Sequence, residues 1–331
     1  MTSEKLTASE LSQLWGQYLN DSLYSCQIKY CIHSVDDPKV KRLLKDALTL
    51  SEQHIEKLSA LFKNEKMPIP QGFNEQDVNL ESPKLFEDDL KLKILLQLGN
   101  YGLRLYGLAI TMVTRKDVHE HFCKCLEESI VLHTEAKNLA LDKGIYIKAP
   151  IIAIPTHISQ VNRQSFLAGW FDRRPLTSIE IAHLFSSIKR ITLEVAMFTG
   201  YSQVTRDQKI KQFFMKGKEV GQKHYQTLTT ILTDNDLPAP AGCNNEITES
   251  TIAPFSDKLM LFEMLSIISY SIGLHGVALS FVARRDLGLT YMKFISSMSR
   301  IAEEGFKLMI DHNWLEQPPM ASDRNKIAQH S

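Results

Sequence analysis

Apolar and small residues recur along this chain in alternating steps of four and three. One stretch reads Val40, Leu44, Ala47, Ser51, His54, Leu58 and Leu61. Another reads Ile210, Phe214, Gly217, Gly221, His224, Leu228 and Ile231, and a third reads Leu184, Ile188, Ile191, Val195 and Phe198. This spacing lays a narrow stripe along one face of an α-helix, the seam of a bundle whose helices cross at about +20°. Local signals cut the first half of the chain into four such helices. The first opens at Thr7-Ala8-Ser9-Glu10, a capping box. The second opens at Asp37-Pro38, an N-cap followed by proline at the first helical position, and runs to about Lys66. The third covers about 85–114. The fourth opens at the N-cap candidate Asp117 and stops near Gly144, which can take the left-handed conformation.

The second half repeats these signals. At an offset of 170, Leu6-Thr7-x-x-Glu10 meets Leu176-Thr177-x-x-Glu180, and His54 meets His224. The Pro68-x-Pro70-x-Gly72-x-Asn74 pattern meets Pro238-x-Pro240-x-Gly242-x-Asn244. After a one-residue slip, at 169, the segment from Leu105 to Asp117 meets that from Leu274 to Asp286. Asp207, Asp286 and Asn313 repeat the punctuation of the first copy. In each copy only the second-to-third connection is long (67–84 in the first), which is the crossover of a ferritin-like bundle. The expected fold is therefore all-α: two tandem ferritin-like four-helix bundles over 1–150 and 176–331. The apolar segment 151–175, with Pro155 and Pro175, is expected to pack as a strap between them, and a polar tail follows Pro319.

A length of 331 residues suits two domains, each with its own core. The 38 basic and 38 acidic residues balance, which gives nucleic acid no footprint to bind. The first apolar residues lie among Glu4, Lys5 and Glu10, so no signal peptide is read. Cys26, Cys31, Cys123, Cys125 and Cys243 are odd in number and irregularly spaced, as reduced thiols of a cytoplasmic protein are. Residues 264–283 carry only His275 as a group titrating near neutrality and are long enough to span a membrane. The equivalent stretch 95–113 carries Asn100 and Arg104, so the expectation is a helix buried on most sides in a soluble protein, with no membrane contact.

Four segments carry a resemblance: Leu14, Trp15, Tyr18, Asp21 and Ser22; Pro-Ile-Pro-Gln-Gly-Phe at 68–73; Asp-Val-Asn-Leu at 77–80; and Trp-Leu-Glu-Gln-Pro-Pro at 314–319. Together they resemble an uncharacterised family of tandem ferritin-like proteins from spore-forming bacilli, related to spore coat protein F. The resemblance covers nearly the whole chain. It implies the ferritin-like fold and a kinship with coat proteins, and it implies no activity.

Ferritin-like enzymes hold two metals with one Glu from each of two helices and a Glu-x-x-His from each of the others. Here Ser51 and Gly221 stand three residues before His54 and His224, Ile130 stands before His133, and Ala302 replaces His133 in the second copy. A dinuclear centre is not expected and no cofactor is predicted, with iron, manganese and zinc left open. His54 and His224 read either as hydrogen-bonded core histidines or as remnant ligands. Asp21 and Arg104 belong to the first copy alone, since Ile191 and Gly273 replace them. An Asp21–Arg104 or Asp21–His54 pair is the expected polar site, and His275 is a further binding candidate. His119, His121, Cys123 and Cys125 form two i,i+4 pairs about 160° apart around a helix, so one metal cannot take all four, and the alternative is a transition metal held by one pair together with another chain. The expectation is that Phe122 and Cys125 face the core and the histidines are exposed.

Gly99, Gly102 and Gly107, with Gly273 and Gly276 between Ser269 and Ser280, point to close approach by the third helices. These apolar helices are expected to form the contact between the bundles, or a seam to a second copy or a coat-protein partner. Arg115-x-Asp117 and Arg284-x-Asp286 read as helix ends, the Arg closing the third helix and the Asp capping the fourth. No nucleophile elbow, phosphate loop or nucleotide fingerprint appears. The expected role is a non-enzymatic structural or binding protein, linked to the spore coat. The alternative is a metal-dependent oxidoreductase or small-ligand binder with its site in the first bundle.

Overall fold

The computed structural model describes residues 5–170 and 173–329. Helices α1 (Ala8–Ser34), α2 (Pro38–Asn64), α3 (Asp88–Met112) and α4 (Lys116–Asp142) form one four-helix bundle. Helices α5 (Ser178–Val204), α6 (Gln208–Thr233), α7 (Asp257–Phe281) and α8 (Arg285–Asp311) form the second. A short helix α9 (Arg324–Gln329) lies in the exposed C-terminal tail. In each bundle the first two and last two helices are antiparallel hairpins, and one long crossover joins the hairpins.

Local chemistry sets the helix ends. Thr7 and Thr177 complete capping boxes with Glu10 and Glu180. Asp37 and Asp207 each accept two backbone N–H bonds at the start of α2 and α6. Gly144 and Asn313 adopt the left-handed φ of +70° and +56° just past α4 and α8. The expected caps at Asp117 and Asp286 do not form. The N-cap residues of α4 and α8 are Arg115 and Arg284, so neither arginine ends the preceding helix. Both arginines are buried, and a buried guanidinium needs an acid that meets its planar fork. Arg115 grips Asp117 through Nε and Nη2 at 2.8 and 2.9 Å, and Arg284 grips Asp286 at 3.1 and 2.7 Å. The aspartates are used as counter-ions in the first helical turn.

The seam residues of α2 from Val40 to Leu61 are all buried, as are Leu184, Ile188, Ile191, Val195 and Phe198 of α5. The core itself differs from the two separate cores expected. Each bundle keeps a small core at its far end, around Phe62 and Phe122 in the first and Leu228 and Phe294 in the second. The largest core runs through both bundles and joins Leu23, Tyr30 and Leu90 to Tyr201, Phe255 and Met264.

The crossovers build this shared core by exchanging partners. Asn79 N–H donates to Pro254 at 2.8 Å and Thr248 N–H to Leu85 at 3.0 Å. Ser256 N–H donates to Asp77 and Glu87 N–H to Glu246, both at 2.9 Å. Within each pair, the second bond is the first with the copies exchanged at the 169 offset, so the bundles are related by a pseudo-twofold. The aromatic contacts follow: Tyr30 lies edge-on to Phe255 at 5.2 Å, and Phe86 packs on Tyr201 at 6.0 Å. Gly72 takes a left-handed φ of +57°, where a Cβ would meet Ser22 Oγ at 2.4 Å. Glu316, from the terminal Trp-Leu-Glu-Gln-Pro-Pro segment, reaches back and accepts from Gln71 and Gly72 N–H at 2.8 and 2.7 Å.

Two further expectations change. Segment 151–175 is not a packed strap: Ile151, Ile154 and Ile158 are 99, 89 and 91% exposed. Only its end docks, where Arg174 stacks 3.9 Å over Phe166 and Gly169 lies against Asp286. Helix α7 is long and apolar enough to cross a membrane by length and composition. Its residues Leu259, Met264 and Ile268 pack into the shared core, yet Ser269, Gly273, Val277 and Ser280 are exposed on one face.

Candidate functional site

The polar interior of the first bundle is organised around His54 of α2. Its Nε2 donates to Glu128 Oε2 of α4 at 2.8 Å, and its Nδ1 lies 3.3 Å from Asp21 Oδ2 of α1. Asp21 and His54 are 7 and 8% exposed. Cys125, one turn before Glu128, places its sulfur within 4.8 Å of the His54 and Glu128 donor atoms. Behind the sulfur, His121 and Gln17 hydrogen-bond at 2.8 Å, and Gln17 Nε2 lies 3.5 Å from Cys125 Sγ. Tyr106 of α3 stands edge-on to the His54 ring at 6.1 Å.

Electrostatics separate the two histidines. Burial works against charge on His54, but hydrogen bonding to Asp21 and Cys125 overrides it and holds its pKa up at about 11. Burial raises the Asp21 carboxyl against the pull of His54. At neutral pH the centre therefore holds an imidazolium, set between the Asp21 and Glu128 side chains. Burial, reinforced by the His54 charge, lowers His121 to about 4 and keeps it neutral.

The second bundle keeps the histidine and loses the charges. At the 170 and 169 offsets, Ile191, Phe294 and Ser297 replace Asp21, Cys125 and Glu128. His224 Nε2 meets Ser297 Oγ at 2.9 Å and its ring stacks on Phe294 at 3.8 Å. Burial and Arg190 lower His224 to about 4. His275, fully buried beside Arg190, is lowered to about 2 by burial and then by Arg190. Arg190 is neutralised by Glu194 at 3.3 Å.

A cleft of about 1140 Å³ opens between the bundles. Asp21, His54, Tyr106 and Glu128 form part of its first-bundle wall, and Arg190, Tyr270, Leu274 and Val277 line the opposite side. Gly273 has nothing within 4 Å of the position a Cβ would take.

Sequence reasoning paired Asp21 with His54 or Arg104, and the structure makes the first pair and not the second. Arg104 is exposed on α3, with its guanidinium 5.9 Å over the Tyr270 ring of the other bundle. Of the two i,i+4 pairs on α4, His119–Cys123 faces outward at 3.7 Å, while His121 and Cys125 are both buried. The expectation that His121 is exposed is therefore corrected: Gln17 supplies the partner that makes its burial affordable. The glycines of the third helices do not bring those helices together. Gly107, Gly273 and Gly276 face open space, and Gly99 and Gly102 pack on His133 and Ser129 of α4 within one bundle. Where α3 and α7 meet, it is through Tyr101 and Tyr270, at 4.2 Å. Sequence reasoning missed Glu128 and Gln17. Cys125-x-x-Glu128 was legible as an i,i+3 pair on one helix face, but it matches no Glu-x-x-His search.

The residues present do not fit the dinuclear metal centre that ferritin-like enzymes hold. Ser51 stands where α2 needs an acid, and Cys125-x-x-Glu128 stands where α4 needs Glu-x-x-His. The fold and site define a tandem four-helix-bundle protein with a charged His54 cluster inside its first copy, a buried Arg190–Glu194 pair in its second and a cleft between the two. The chain belongs to the family described as protein of unknown function DUF3231, which matches residues 1–158 and again 165–327. A candidate spore coat protein from Bacillus halodurans C-125 is similar at 18% identity and a TM-score of 0.40, over 45% of this chain and 98% of that one. No curated protein matches the chain significantly.

Proposed function

We propose that the protein is a non-enzymatic binding protein that takes a small, largely apolar molecule in the cleft between its ferritin-like bundles. The cleft itself carries this reading. Its volume exceeds that of common small-ligand pockets, and apolar walls with a few convergent polar groups are the usual make-up of such sites. Gly273 keeps its wall open at a cost of about 1 kcal/mol against alanine in a helix, and no close contact with another helix accounts for that glycine.

Gly273→Phe fills the cleft from a position with free space and should leave the fold intact. The neutral fluorophore N-phenyl-1-naphthylamine is expected to bind the wild type and to bind this variant at least tenfold more weakly. Equal binding to both would remove the cleft as the site. The exposed rim residues Leu105, Leu108, Val277 and Phe281 favour a second reading, in which a second copy or a coat protein covers the cleft. Light scattering on the same two samples separates the readings, since a self-association seam loses its dimer mass in the variant. The sequence resemblance supports the spore coat as the protein's setting.

A further inference from the structure

We infer that His54, Cys125 and Glu128 form a mononuclear metal site of the zinc type, with Asp21 as the residue that orients the imidazole. The inference does not rest on what the cleft binds.

The donor set is the first argument. One imidazole nitrogen, one thiol sulfur and one carboxylate oxygen lie within 4.8 Å of one another. Donors around tetrahedral zinc lie roughly 3.2–3.7 Å apart at its usual bond lengths. His54 Nε2 and Glu128 Oε2 are 2.8 Å apart across a proton, so an ion that displaces that proton needs the two to part slightly and the sulfur to close in from within 4.8 Å. Sulfur with nitrogen selects zinc, or cobalt in its place, over calcium and magnesium, which take oxygen.

The second argument is independent of the first. Asp21 Oδ2 and His54 Nδ1 are both buried, face each other at 3.3 Å and have no other hydrogen-bond partner. A carboxylate on the far nitrogen of a histidine is the arrangement that fixes the tautomer and turns the other nitrogen toward a metal. Here that nitrogen is Nε2, the one facing Glu128. Three protein ligands leave one position open, and His54 and Glu128 both line the cleft, so that position faces it. The second bundle supplies the contrast: His224 has Phe294 and Ser297 in place of the sulfur and carboxylate, and cannot hold the ion.

The test uses the full chain, reduced and freed of metal by a chelator that is then removed, and titrated with cobalt(II). The expected result is one equivalent bound, with a thiolate-to-cobalt charge-transfer band that zinc abolishes. Cys125→Ala and the isosteric Cys125→Ser should each lose the band while circular dichroism stays helical. Asp21→Asn should keep the band and weaken binding about 10- to 100-fold. Cys123→Ala, which breaks the exposed His119–Cys123 pair, and His224→Ala should change nothing. Absence of the band from the wild type, its survival in both Cys125 variants, or its loss in Cys123→Ala would overturn the assignment.

Discussion

Glu10→Ala is expected to lower stability by about 3–5 kcal/mol, far beyond the ~1 kcal/mol of an ordinary helix cap. The Glu10 carboxylate is a fully buried hub. One oxygen accepts from Thr114 N–H, Thr114 Oγ1 and Arg115 N–H at 3.0, 3.2 and 2.8 Å. The other accepts from Thr7 N–H and Oγ1 at 2.7 and 2.9 Å. Its removal therefore uncaps α1 and also takes the acceptor from Thr114 N–H and the buried Arg115 N–H in the turn between α3 and α4. Burial alone would raise this carboxyl, but the backbone bonds from Thr7, Arg115 and Thr114 hold its pKa down at about 2. The folded value lies below the ordinary 4.5 of an unfolded glutamate, so this stabilisation is complete above pH 4.5 and is lost as pH falls toward 2. Glu180 repeats the hub with Thr177, Arg284 N–H and the Arg174 guanidinium, and Glu180→Ala should cost as much. Urea unfolding followed by circular dichroism measures both, and a loss below about 1 kcal/mol would reduce each glutamate to a simple cap.

The second large effect concerns Glu263, whose side chain joins the two copies. It lies in the shared core, accepting from Gln27 of α1 at 2.7 Å and from the Tyr201 hydroxyl of α5. Burial raises its pKa to about 7, against the pull of Tyr201 and Gln27. The sign is opposite to that of Glu10. The folded value lies above the unfolded one, so the protonated acid contributes stability that is complete below pH 4.5 and lost as pH rises to 7. The difference corresponds to about 3 kcal/mol. Glu263→Gln stays neutral and keeps a donor and an acceptor for Tyr201 and Gln27. It should be more stable than the wild type at pH 8 by an amount of that order, and nearly equal to it at pH 4.5. Parallel pH dependence in the two proteins would show that Glu263 is ionised throughout.

The candidate site was legible only in part. His54 stood out as a histidine in an apolar stripe, Asp21 by its presence in one copy alone and Cys125 by its i,i+4 spacing from His121. Which of them meet was not legible, because a helix places a side chain on a face without saying how far that face is from its neighbour. Arg104 illustrates the limit: its one-copy occurrence suggested a partner for Asp21, but its side chain lies over Tyr270 of the other bundle. Glu128 went unseen because its partner one turn earlier is a cysteine.

What the sequence determined by itself is what short-range forces decide. Capping boxes, the left-handed stops, the seams of α2 and α5 and the long crossover are each written within a few residues. The repeat doubles the evidence for each of them. Tertiary structure decided whatever depends on the fit of distant surfaces. Both crossovers were visible as proline-punctuated segments, but only their mutual backbone pairing built a third, shared core across the two expected ones. The glycines of α3 and α7 were visible too, and only the placement of the bundles made Gly273 the wall of a cleft and not a helix contact. The same holds for His54: the helix face was readable, while Asp21, Cys125 and Glu128 around it come from α1 and α4, whose positions are set by packing over the whole bundle.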